Sequence, residues 1–465
     1  MPEIPVVLVF DVGKTNKKLL LFDEQYNLVL EESMQFEEIK DDDGFPCEDL
    51  ASLSSWIKKT FDRITEDRRF EIRAVNFSGY GASFVYLNEE REVLLPLYNY
   101  LKPFPESLRH QFYESYGGES LLARETASPV LGNLNSGLQL YRLKYEKAED
   151  FSKIRYALHL PQYLSYLLSS KLVSDITSIG CHTHLWNFEK NKYHSWVGQE
   201  DILSKLAPLT ACETVFGYGS KEIPVGIGLH DSSAALIPYL SSFQQPFILL
   251  STGTWCISLN PFNNIPLTDF ELKHDCLCYL SYRGNPVKAS RLFAGHEHEQ
   301  QTKKLSAHFL KSQDYYTTIP CDQGLLRNLK KDSGYQAKAG PGIILQPSAF
   351  EKRKLDEFRN YEEAYHQLIA DIIVQQIQST QLVLNGTSVK RIFVDGGFSK
   401  NPLYMYLLAE ALPGMEIYAA SVPQASALGA AMAIHKHWNR KPFPADIIEL
   451  KRYAVKQEPN EHIEP

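Results

Sequence analysis

Apolar and polar stretches divide the chain into two halves with a similar pattern. The first half opens with an apolar run at residues 6–10, which predicts a strand buried on both faces. A short polar turn at residues 11–18 follows, and apolar character returns at residues 19–22, so this stretch predicts a hairpin. Helical spacing of apolar residues predicts a helix over residues 50–64, and residues 74–81 predict a strand that ends in glycines.

The second half repeats this order of elements. Residues 247–250 predict an apolar strand, residues 251–254 a glycine turn rich in hydroxyls, and residues 255–259 a second strand. A long helix is predicted near residues 361–384, and the strand predicted after it, at residues 391–397, again ends in glycines. The repeated order indicates an internal duplication with two α/β lobes, whose glycine turns would face each other across a cleft.

Two further segments predict helices. Residues 98–215 contain many aromatic residues and few strand patterns, so we predict a mostly helical region there. The small residues 425–431 predict a helix that packs closely against its neighbours. His182, His184 and His194 lack acidic or histidine partners at helical spacing, which favours packing roles over a metal site.

Composition narrows the class of protein. With 465 residues, 44% of them hydrophobic, the chain is long enough for two domains. Its 48 basic and 56 acidic residues give a net charge of −8, which disfavours a nucleic-acid-binding protein. We find no leader and no apolar run of about 18 residues, so we expect neither secretion nor a membrane interaction.

The cysteines predict a reducing environment. Seven cysteines, an odd number, indicate reduced thiols and a cytoplasmic location. Cys276 and Cys278 are spaced one residue too closely for the usual zinc knuckle, so we predict buried thiols at both positions.

The candidate catalytic group lies in residues 226–236. This stretch runs from glycines into a His-Asp-Ser-Ser step, which predicts the start of a helix. A carboxylate at Asp231 would lie at the positive end of the helix dipole, remain ionised and be able to meet a substrate hydroxyl. The alternative is that Asp231 only caps the helix, as Asp commonly does.

The turn at residues 11–18 is a candidate phosphate site. It offers a glycine, a hydroxyl, backbone amides and lysines, and Asp11 is placed to hold Mg²⁺ through water. An ordinary surface hairpin is the alternative. The sequence has no Gly-x-x-x-x-Gly-Lys-Ser/Thr motif and no Gly-x-Gly-x-x-Gly after its first strand, so neither a P-loop protein nor a dinucleotide oxidoreductase is favoured.

A third turn predicts a site for a flat ring or a ribose. Gly396 and Gly397 would let the backbone approach such a group closely. Asn401 is predicted to cap the following helix, with Pro402 as its first residue.

Taken in order, these segments resemble the FGGY carbohydrate kinases, and most of all their rhamnulokinase and fuculokinase branch. The resemblance spans the chain from Asp11 to about Ile434. Each motif is weak alone, but the ordered set is specific. The four motifs are Asp11-Val12-Gly13 to Lys18, Gly228-Leu229-His230-Asp231, Ser251-Thr252-Gly253-Thr254-Trp255, and Asp395-Gly396-Gly397 with Ala425 to Ala431.

The resemblance implies two ribonuclease-H-like (actin-like ATPase) α/β domains with the active site in the cleft between them. It implies a sugar-binding domain over residues 1–242, a nucleotide-binding domain over residues 243–445 and a tail over residues 446–465. It also implies transfer of a phosphoryl group from ATP, with Mg²⁺, to a hydroxyl of a ketose such as L-rhamnulose or L-fuculose. The partners would be the sugar and ATP, and the chain would be a monomer or a homodimer.

The resemblance also assigns roles to residues. Asp231 would be the general base and Asp11 the metal ligand. The sugar would be bound by Tyr80, Gly81, His230 and Asp231. ATP would be bound by Gly13, Lys14, Thr15, Asn16, Lys17, Lys18, Gly253, Thr254, Gln300, Gly396, Gly397 and Asn401.

Several positions depart from the family pattern. Lys14 stands where the family has a small or hydroxyl residue, and Lys18 stands where it has an Arg. Gln424 stands in place of a Glu, and Tyr406 in place of a Gln. The Asn that is usual before Gly295 has no clear counterpart. The alternatives are therefore a kinase of another ketose or polyol, such as ribulose or xylulose, or a catalytically weak nucleotide-binding sensor with the same fold. A third alternative is an actin-like ATPase that needs no sugar.

Overall fold

The computed structural model describes residues 3–219, 222–326, 348–422, 424–444 and 446–454. Within these ranges the chain folds into two α/β lobes, each built on a seven-stranded mixed sheet. The predicted α/β class with two lobes is therefore confirmed. The boundaries predicted at residues 242 and 445 stay predictions.

The first lobe holds the longer series of elements. In chain order they are β1 Ile4–Val12, β2 Lys17–Asp23, β3 Leu28–Met34, β4 Ile39–Lys40, β5 Pro46–Cys47, α1 Leu50–Thr65, β6 Phe70–Gly79, β7 Phe84–Leu87, α2 Glu106–Ser115, α3 Glu119–Glu125, α4 Gly137–Glu146, α5 Ala148–Lys153, β8 Tyr156–His159, α6 Leu160–Ser169, β9 Ser174–Asp175, α7 Ile176–Ile179, β10 Trp186–Asn187, β11 Lys192–Tyr193, α8 Ser195–Gln199, β12 Leu209–Thr210, β13 Val215–Tyr218, β14 Ile223–Gly226, β15 Leu229–His230, α9 Asp231–Ala235 and α10 Ile237–Ser242.

The second lobe has fewer and longer elements. They are β16 Ile248–Thr252, β17 Cys256–Asn260, α11 Asp269–Lys273, β18 Cys276–Leu280, β19 Pro286–Leu292, α12 Ala294–His308, α13 Tyr361–Leu384, β20 Arg391–Gly396, α14 Pro402–Ala411, β21 Glu416–Ser421, α15 Ala425–Ala433 and β22 Glu449–Tyr453. No described helix in either lobe is both long and apolar enough to cross a bilayer.

The two sheets repeat one arrangement of strands. In the first sheet, β1 pairs antiparallel with β2 and parallel with β6. In the second, β16 pairs antiparallel with β17 and parallel with β20. The hairpin and the returning parallel strand therefore occur twice, as the hydrophobic pattern predicts.

Local patterns explain the main elements. The apolar run of β1 is fully buried from Val6 to Phe10, as expected for a central strand. Helix α1 buries its apolar stripe, and the side chain of Asp49 caps it by accepting from the backbone amide of Ser52 at 2.9 Å. Both Cys276 and Cys278 are buried free thiols, as predicted.

Helix α15 joins the lobes. A side chain on Gly429 would put its Cβ 1.8 Å from the carbonyl oxygen of Ala234 in α9, so the two backbones can approach only at a glycine. Asn76 of β6 donates its amide to the carbonyl of Ala430 in α15 at 2.7 Å. The close packing predicted for this helix is confirmed, and the structure adds that its tightest contact is with another helix.

The structure extends the second sheet beyond the predicted domain. Strand β22, which lies in the segment assigned to the tail, pairs antiparallel with β21 from Glu449 to Tyr453. In the mostly helical middle region, the rings of His182, His184 and His194 are hydrogen-bonded within the fold, as a packing role predicts.

Candidate active site

Two carboxylates meet at the edge of the first sheet. Asp11 lies near the end of β1, and Asp231 directly follows β15. Both strands run parallel to β6, where Ser78 is in register with Asp11 and with Leu229. Parallel strands end at the same edge of a sheet, so the two carboxylates come close together. Burial raises the pKa of Asp11, and the charge of Asp231 adds to that rise.

Asp231 is not a helix cap. The capping position of α9 belongs to His230, Asp231 is the first helical residue, and its Oδ1 accepts from the adjacent amide of Ser232 at 2.5 Å. The capping alternative is therefore wrong. Burial raises the pKa of Asp231 to about 6, although 33% of its side chain is still exposed. Burial thus outweighs the helix dipole expected to favour ionisation, but the group is still mainly ionised at neutral pH.

Asp11 is surrounded by hydroxyls. Burial raises the pKa of Asp11 to about 6, while the hydroxyls of Ser426 and Ser78 and the ammonium of Lys18 lower it. Ser426 Oγ, from α15 of the second lobe, donates to Asp11 Oδ2 at 2.9 Å. A carboxylate among hydroxyl groups is the oxygen-rich environment that Mg²⁺ prefers, with one or two carboxylates and the remaining ligands from water or phosphate. The residues at Asp11 therefore fit Mg²⁺.

Of the predicted sugar-binding residues, His230 lies beside Asp231 and Gly81 lies beside His230. His230 Nε2 is 3.3 Å from Asp231 Oδ1, and a Cβ on Gly81 would lie 2.9 Å from His230 Cδ2. Burial lowers the pKa of His230 to about 3, so its ring is neutral at physiological pH. The ring of Tyr80 is 6.2 Å from that of Tyr100, whose pKa is raised by burial and by the charge of Asp231.

Two residues at this site were missed by sequence reasoning. Cys181 Sγ lies 3.1 Å from His230 Nε2, and the ring of Tyr279 lies 5.5 Å from the ring of His230. Both belong to segments without a recognisable motif, so no local signal could identify them.

The lysines of the first turn point in different directions. Lys14 pairs with Glu38 at 2.8 Å on the surface of the first lobe. Lys17 is buried and pairs with the equally buried Glu48 at 2.8 Å. Successive side chains of a strand point to opposite faces, so Lys18 is on the other side from Lys17. The structure therefore does not bring Lys17 to the cleft.

The rest of the first turn is partly used by the fold, since Asn16 Oδ1 accepts from Gln35 Nε2 at 2.6 Å. The amide of Gly13 donates to the carbonyl of Asn16 at 2.9 Å and closes the turn, and Thr15 is exposed. Lys18 Nζ donates to Gln424 Oε1 of the second lobe at 3.0 Å. The Lys and Gln that depart from the family pattern therefore contact each other across the lobes.

The second turn lies against the third. Gly253 and Thr254 are exposed, and the start of α12 packs on them so tightly that a Cβ on Gly295 would lie 1.8 Å from the carbonyl oxygen of Gly253. Gly397 donates its amide to the carbonyl of Thr252 at 2.8 Å, which places the exposed Gly396 and Gly397 beside this turn.

Arg291 lies between the residue that follows the second turn and Cys181. Its guanidinium lies 5.4 Å from the ring of Trp255, the residue after Thr254. Burial and the charge of Asp231 raise the pKa of the Cys181 thiol, and the charge of Arg291 partly opposes that rise. Arg291 is therefore a neighbour both of the residue after the second turn and of the thiol that contacts His230.

Two predicted ATP ligands, Asn401 and Gln300, do not pack against the glycine turns. Asn401 caps α14 as predicted, accepting from the amides of Leu403 and Tyr404, and its Nδ2 donates to the hydroxyl of Tyr365 at 2.9 Å. Its side chain is thus used by the fold. Gln300 is exposed on α12, five residues after Gly295, and its side chain makes no hydrogen bond to a described residue.

Comparisons with known proteins identify the family of this chain. The N-terminal domain of the FGGY family of carbohydrate kinases matches residues 6–238, and the carbohydrate kinase FGGY C-terminal domain matches residues 244–442. The rhamnulokinase of Halalkalibacterium halodurans is 24% identical over 275 residues, which cover 56% of this chain and 57% of that protein. The match therefore spans little more than half of this relative.

Solved structures share the fold over nearly the whole chain. A carbohydrate kinase from Novosphingobium aromaticivorans superposes with a TM-score of 0.80 at 20% identity, covering 97% of this chain and 94% of its own. A ligand-bound xylulose kinase from Lactobacillus acidophilus gives a TM-score of 0.77 at 18% identity with the same coverage. The two domain matches together cover nearly all of both lobes, and this chain therefore belongs to the FGGY family of carbohydrate kinases.

Proposed function

We propose that the protein is an ATP-dependent sugar kinase with Asp231 as its general base. The observation that carries the proposal is the meeting of Asp11 and Asp231 at one sheet edge, where Ser426 of the second lobe also donates to Asp11. Turns with exposed amides suit a polyphosphate, and a partly buried carboxylate suits the removal of a proton from an alcohol.

The proposed reaction forms one bond and breaks another. The sugar hydroxyl oxygen attacks the γ-phosphorus of ATP, the bond between that phosphorus and the leaving β,γ-bridging oxygen breaks, and the hydroxyl proton moves to Asp231. ADP and a sugar phosphate are released. The protein acts mainly by positioning the two substrates and by neutralising charge.

The other residues would position the substrates. His230, Gly81 and Tyr80 would contact the sugar near Asp231, and the turns at Gly13 and Gly253 would contact the phosphates. Asp11 would hold Mg²⁺, which when bound neutralises phosphate charge. Lys17 and Asn401 are left out of this assignment because their side chains bond within the fold.

We propose L-rhamnulose or L-fuculose, or a ketose of similar shape, as the sugar. The similarity to a rhamnulokinase supports this choice, and the neutral His230 beside Asp231 is compatible with an uncharged polyhydroxyl substrate. The Lys18–Gln424 contact across the lobes favours one alternative, a weakly active nucleotide sensor, because it ties a turn residue to the opposite lobe.

An ADP-release assay separates these possibilities. We expect ADP release with ATP and Mg²⁺ only when a ketose is present, over a panel of L-rhamnulose, L-fuculose, L- and D-ribulose, D-xylulose and glycerol. Release without any sugar would favour an ATPase. No release with any sugar, despite ATP binding measured by calorimetry, would favour the sensor.

The pH dependence tests the assignment of the base. Burial raises the pKa of Asp231 to about 6, so below that pH the carboxyl carries a proton that an ordinary Asp would have lost. We expect kcat/KM for the sugar to level off above the apparent pKa and to fall at least about tenfold for each pH unit below it, because the pKa of Asp11 is also raised to about 6. Rates measured at constant ionic strength, with folding checked at each pH, would show this. A profile that stays flat down to pH about 4.5 would contradict the assignment.

A further inference from the structure

A strand of the second lobe lies beside the predicted sugar-binding residues of the first lobe. Ser233 of α9, two residues after Asp231, donates its hydroxyl to the carbonyl of Leu280 at the end of β18, at 3.1 Å. The residue before Leu280 is Tyr279, whose ring centre lies 5.5 Å from that of His230. The second lobe therefore supplies a side chain that borders His230.

Arg291 of the neighbouring strand β19 is held by a fork of two hydrogen bonds. Its Nε donates to Asp275 Oδ2 at 3.1 Å, and its Nη2 donates to Asp275 Oδ1 at 2.6 Å. The third nitrogen, Nη1, forms no hydrogen bond with any described residue, and 11% of the side chain is exposed. Because the guanidinium is rigid and planar, the pair with Asp275 fixes the direction in which the donors of Nη1 point.

Tyr279 also has a polar atom that the fold does not use. Its hydroxyl forms no hydrogen bond with a described residue, although only 4% of the residue is exposed. Neither this hydroxyl nor Arg291 Nη1 is among the described side-chain atoms that are both fully buried and unpaired, so both atoms reach solvent. Polar atoms on nearly buried side chains that lack a protein partner are available to water or to a ligand.

The charges around these groups favour an uncharged ligand. Burial raises the pKa of Tyr279 and of the Cys181 thiol, the charge of Asp231 adds to both rises, and the charge of Arg291 opposes both. Side chains near the proposed base are therefore also near the guanidinium. Because the carboxylate of Asp275 compensates the charge of Arg291, Nη1 offers hydrogen bonds with little net charge, which suits a sugar hydroxyl better than a carboxylate.

We propose that Arg291 and Tyr279 determine sugar specificity by hydrogen-bonding to ketose hydroxyls that are remote from the reacting hydroxyl. The inference rests on the proposed function and deepens it, because it assigns part of the sugar site to the second lobe. Arg291 would donate through Nη1 to a hydroxyl oxygen, and the hydroxyl of Tyr279 would donate or accept. The sugar would then contact both lobes.

Two conservative variants test the proposal. Tyr279→Phe removes only the hydroxyl, and Arg291→Lys keeps a positive charge for Asp275 but has a single nitrogen, which that carboxylate occupies. We expect the KM for the best ketose of the panel to rise about fivefold in Tyr279→Phe and about tenfold in Arg291→Lys, because a neutral and a charged hydrogen bond are lost, respectively. The KM for ATP, and kcat at saturating sugar, should stay within about twofold of the wild-type values.

Specificity is measured separately from affinity. The preference for the best ketose over the next one of the panel, as a ratio of kcat/KM values, should narrow at least about threefold in both variants, because the configuration of a remote hydroxyl is no longer recognised. Tyr404→Phe is the matched control, since it removes a fully buried, unpaired hydroxyl on α14 of the same lobe that cannot meet a sugar. It should leave the ratio and both KM values unchanged.

The kinetic results separate a specificity role from a structural one. A higher KM for the sugar and a narrower preference in both variants, with the KM for ATP unchanged, support the proposal. A KM for the sugar within twofold of the wild type in either variant, or an equal rise in the KM for ATP, overturns it. Urea unfolding checks the fold of each variant, and Tyr279→Phe alone decides if Arg291→Lys does not fold. Absence of ADP release from the wild-type protein with every sugar would instead overturn the proposed function.

Discussion

Asp231→Asn is expected to lower turnover at least about a hundredfold while leaving the fold and ATP binding nearly intact. The amide has the shape of the carboxylate but cannot take the proton of the sugar hydroxyl. Its oxygen can still accept from the amide of Ser232, the bond that orients the side chain at 2.5 Å. Steady-state kinetics with saturating ATP and the best sugar of the panel would measure the effect, and near-normal turnover would remove the assigned role.

The same variant should be more stable than the wild type at neutral pH. Burial raises the pKa of Asp231 to about 6, so between roughly pH 4 and that value the folded protein binds more protons than the unfolded chain. The contribution of Asp231 to the free energy of unfolding therefore falls as pH rises through this window, and at pH 7.5 the ionised group is destabilising. The Asp231→Asn variant lacks this destabilising charge.

Urea unfolding at pH 5 and pH 7.5 tests whether the contribution of Asp231 to the free energy of unfolding falls as pH rises. The advantage of Asp231→Asn over the wild type should be larger at the higher pH. Asp62→Asn, at an exposed position on α1, is a control that should show no such difference. A variant that loses both activity and stability at pH 7.5 would indicate a structural role for Asp231.

Gly429→Ala is expected to reduce the free energy of unfolding by about 1–3 kcal/mol, the usual effect of overpacking. The added Cβ would lie 1.8 Å from the carbonyl oxygen of Ala234, so α15 and α9 must move apart. Helix α9 begins with Asp231 and α15 carries Ser426, so the shift also separates groups that line the groove. Turnover should fall at least about tenfold, since small misplacements of reacting groups are costly.

The control for this variant is Gly198→Ala. An added Cβ at Gly198 in α8 meets no atom within 4 Å, so the free energy of unfolding and turnover should stay near the wild-type values. Urea unfolding and kinetics of both variants test the prediction. A Gly429→Ala protein as stable and active as Gly198→Ala would show that the contact between α9 and α15 does not set the site.

Much of the fold could be predicted from spacing alone. The helices at Leu50–Thr65 and Tyr361–Leu384 lie where the apolar stripe predicts them, and the repeated hairpins pair as the alternation of apolar runs and glycine turns indicates. These features depend on residues a few positions apart, so a short window contains the information. The family resemblance assigned residues 446–465 to a tail, and the structure pairs β22 of that segment with β21; the short, charged sequence of β22 gives little strand signal of its own.

The site was predicted less completely. Sequence reasoning identified Asp11, His230 and Asp231, which the structure brings to one edge of the first sheet. It grouped Lys17 with Lys18, although strand alternation buries the first against Glu48 and leaves the second in contact with the other lobe. It missed Cys181, which approaches His230 from a segment without a motif.

By itself, the sequence determined the order of strands, helices and glycine turns and the identity of the two acidic residues, because local spacing and residue chemistry suffice for these. Only the tertiary structure decided how those acids behave. Asp11 accepts a hydrogen bond from Ser426, 415 positions away, and burial by distant elements raises the pKa of both Asp11 and Asp231. Burial and contacts between lobes depend on where distant segments meet, and no short stretch of sequence specifies that.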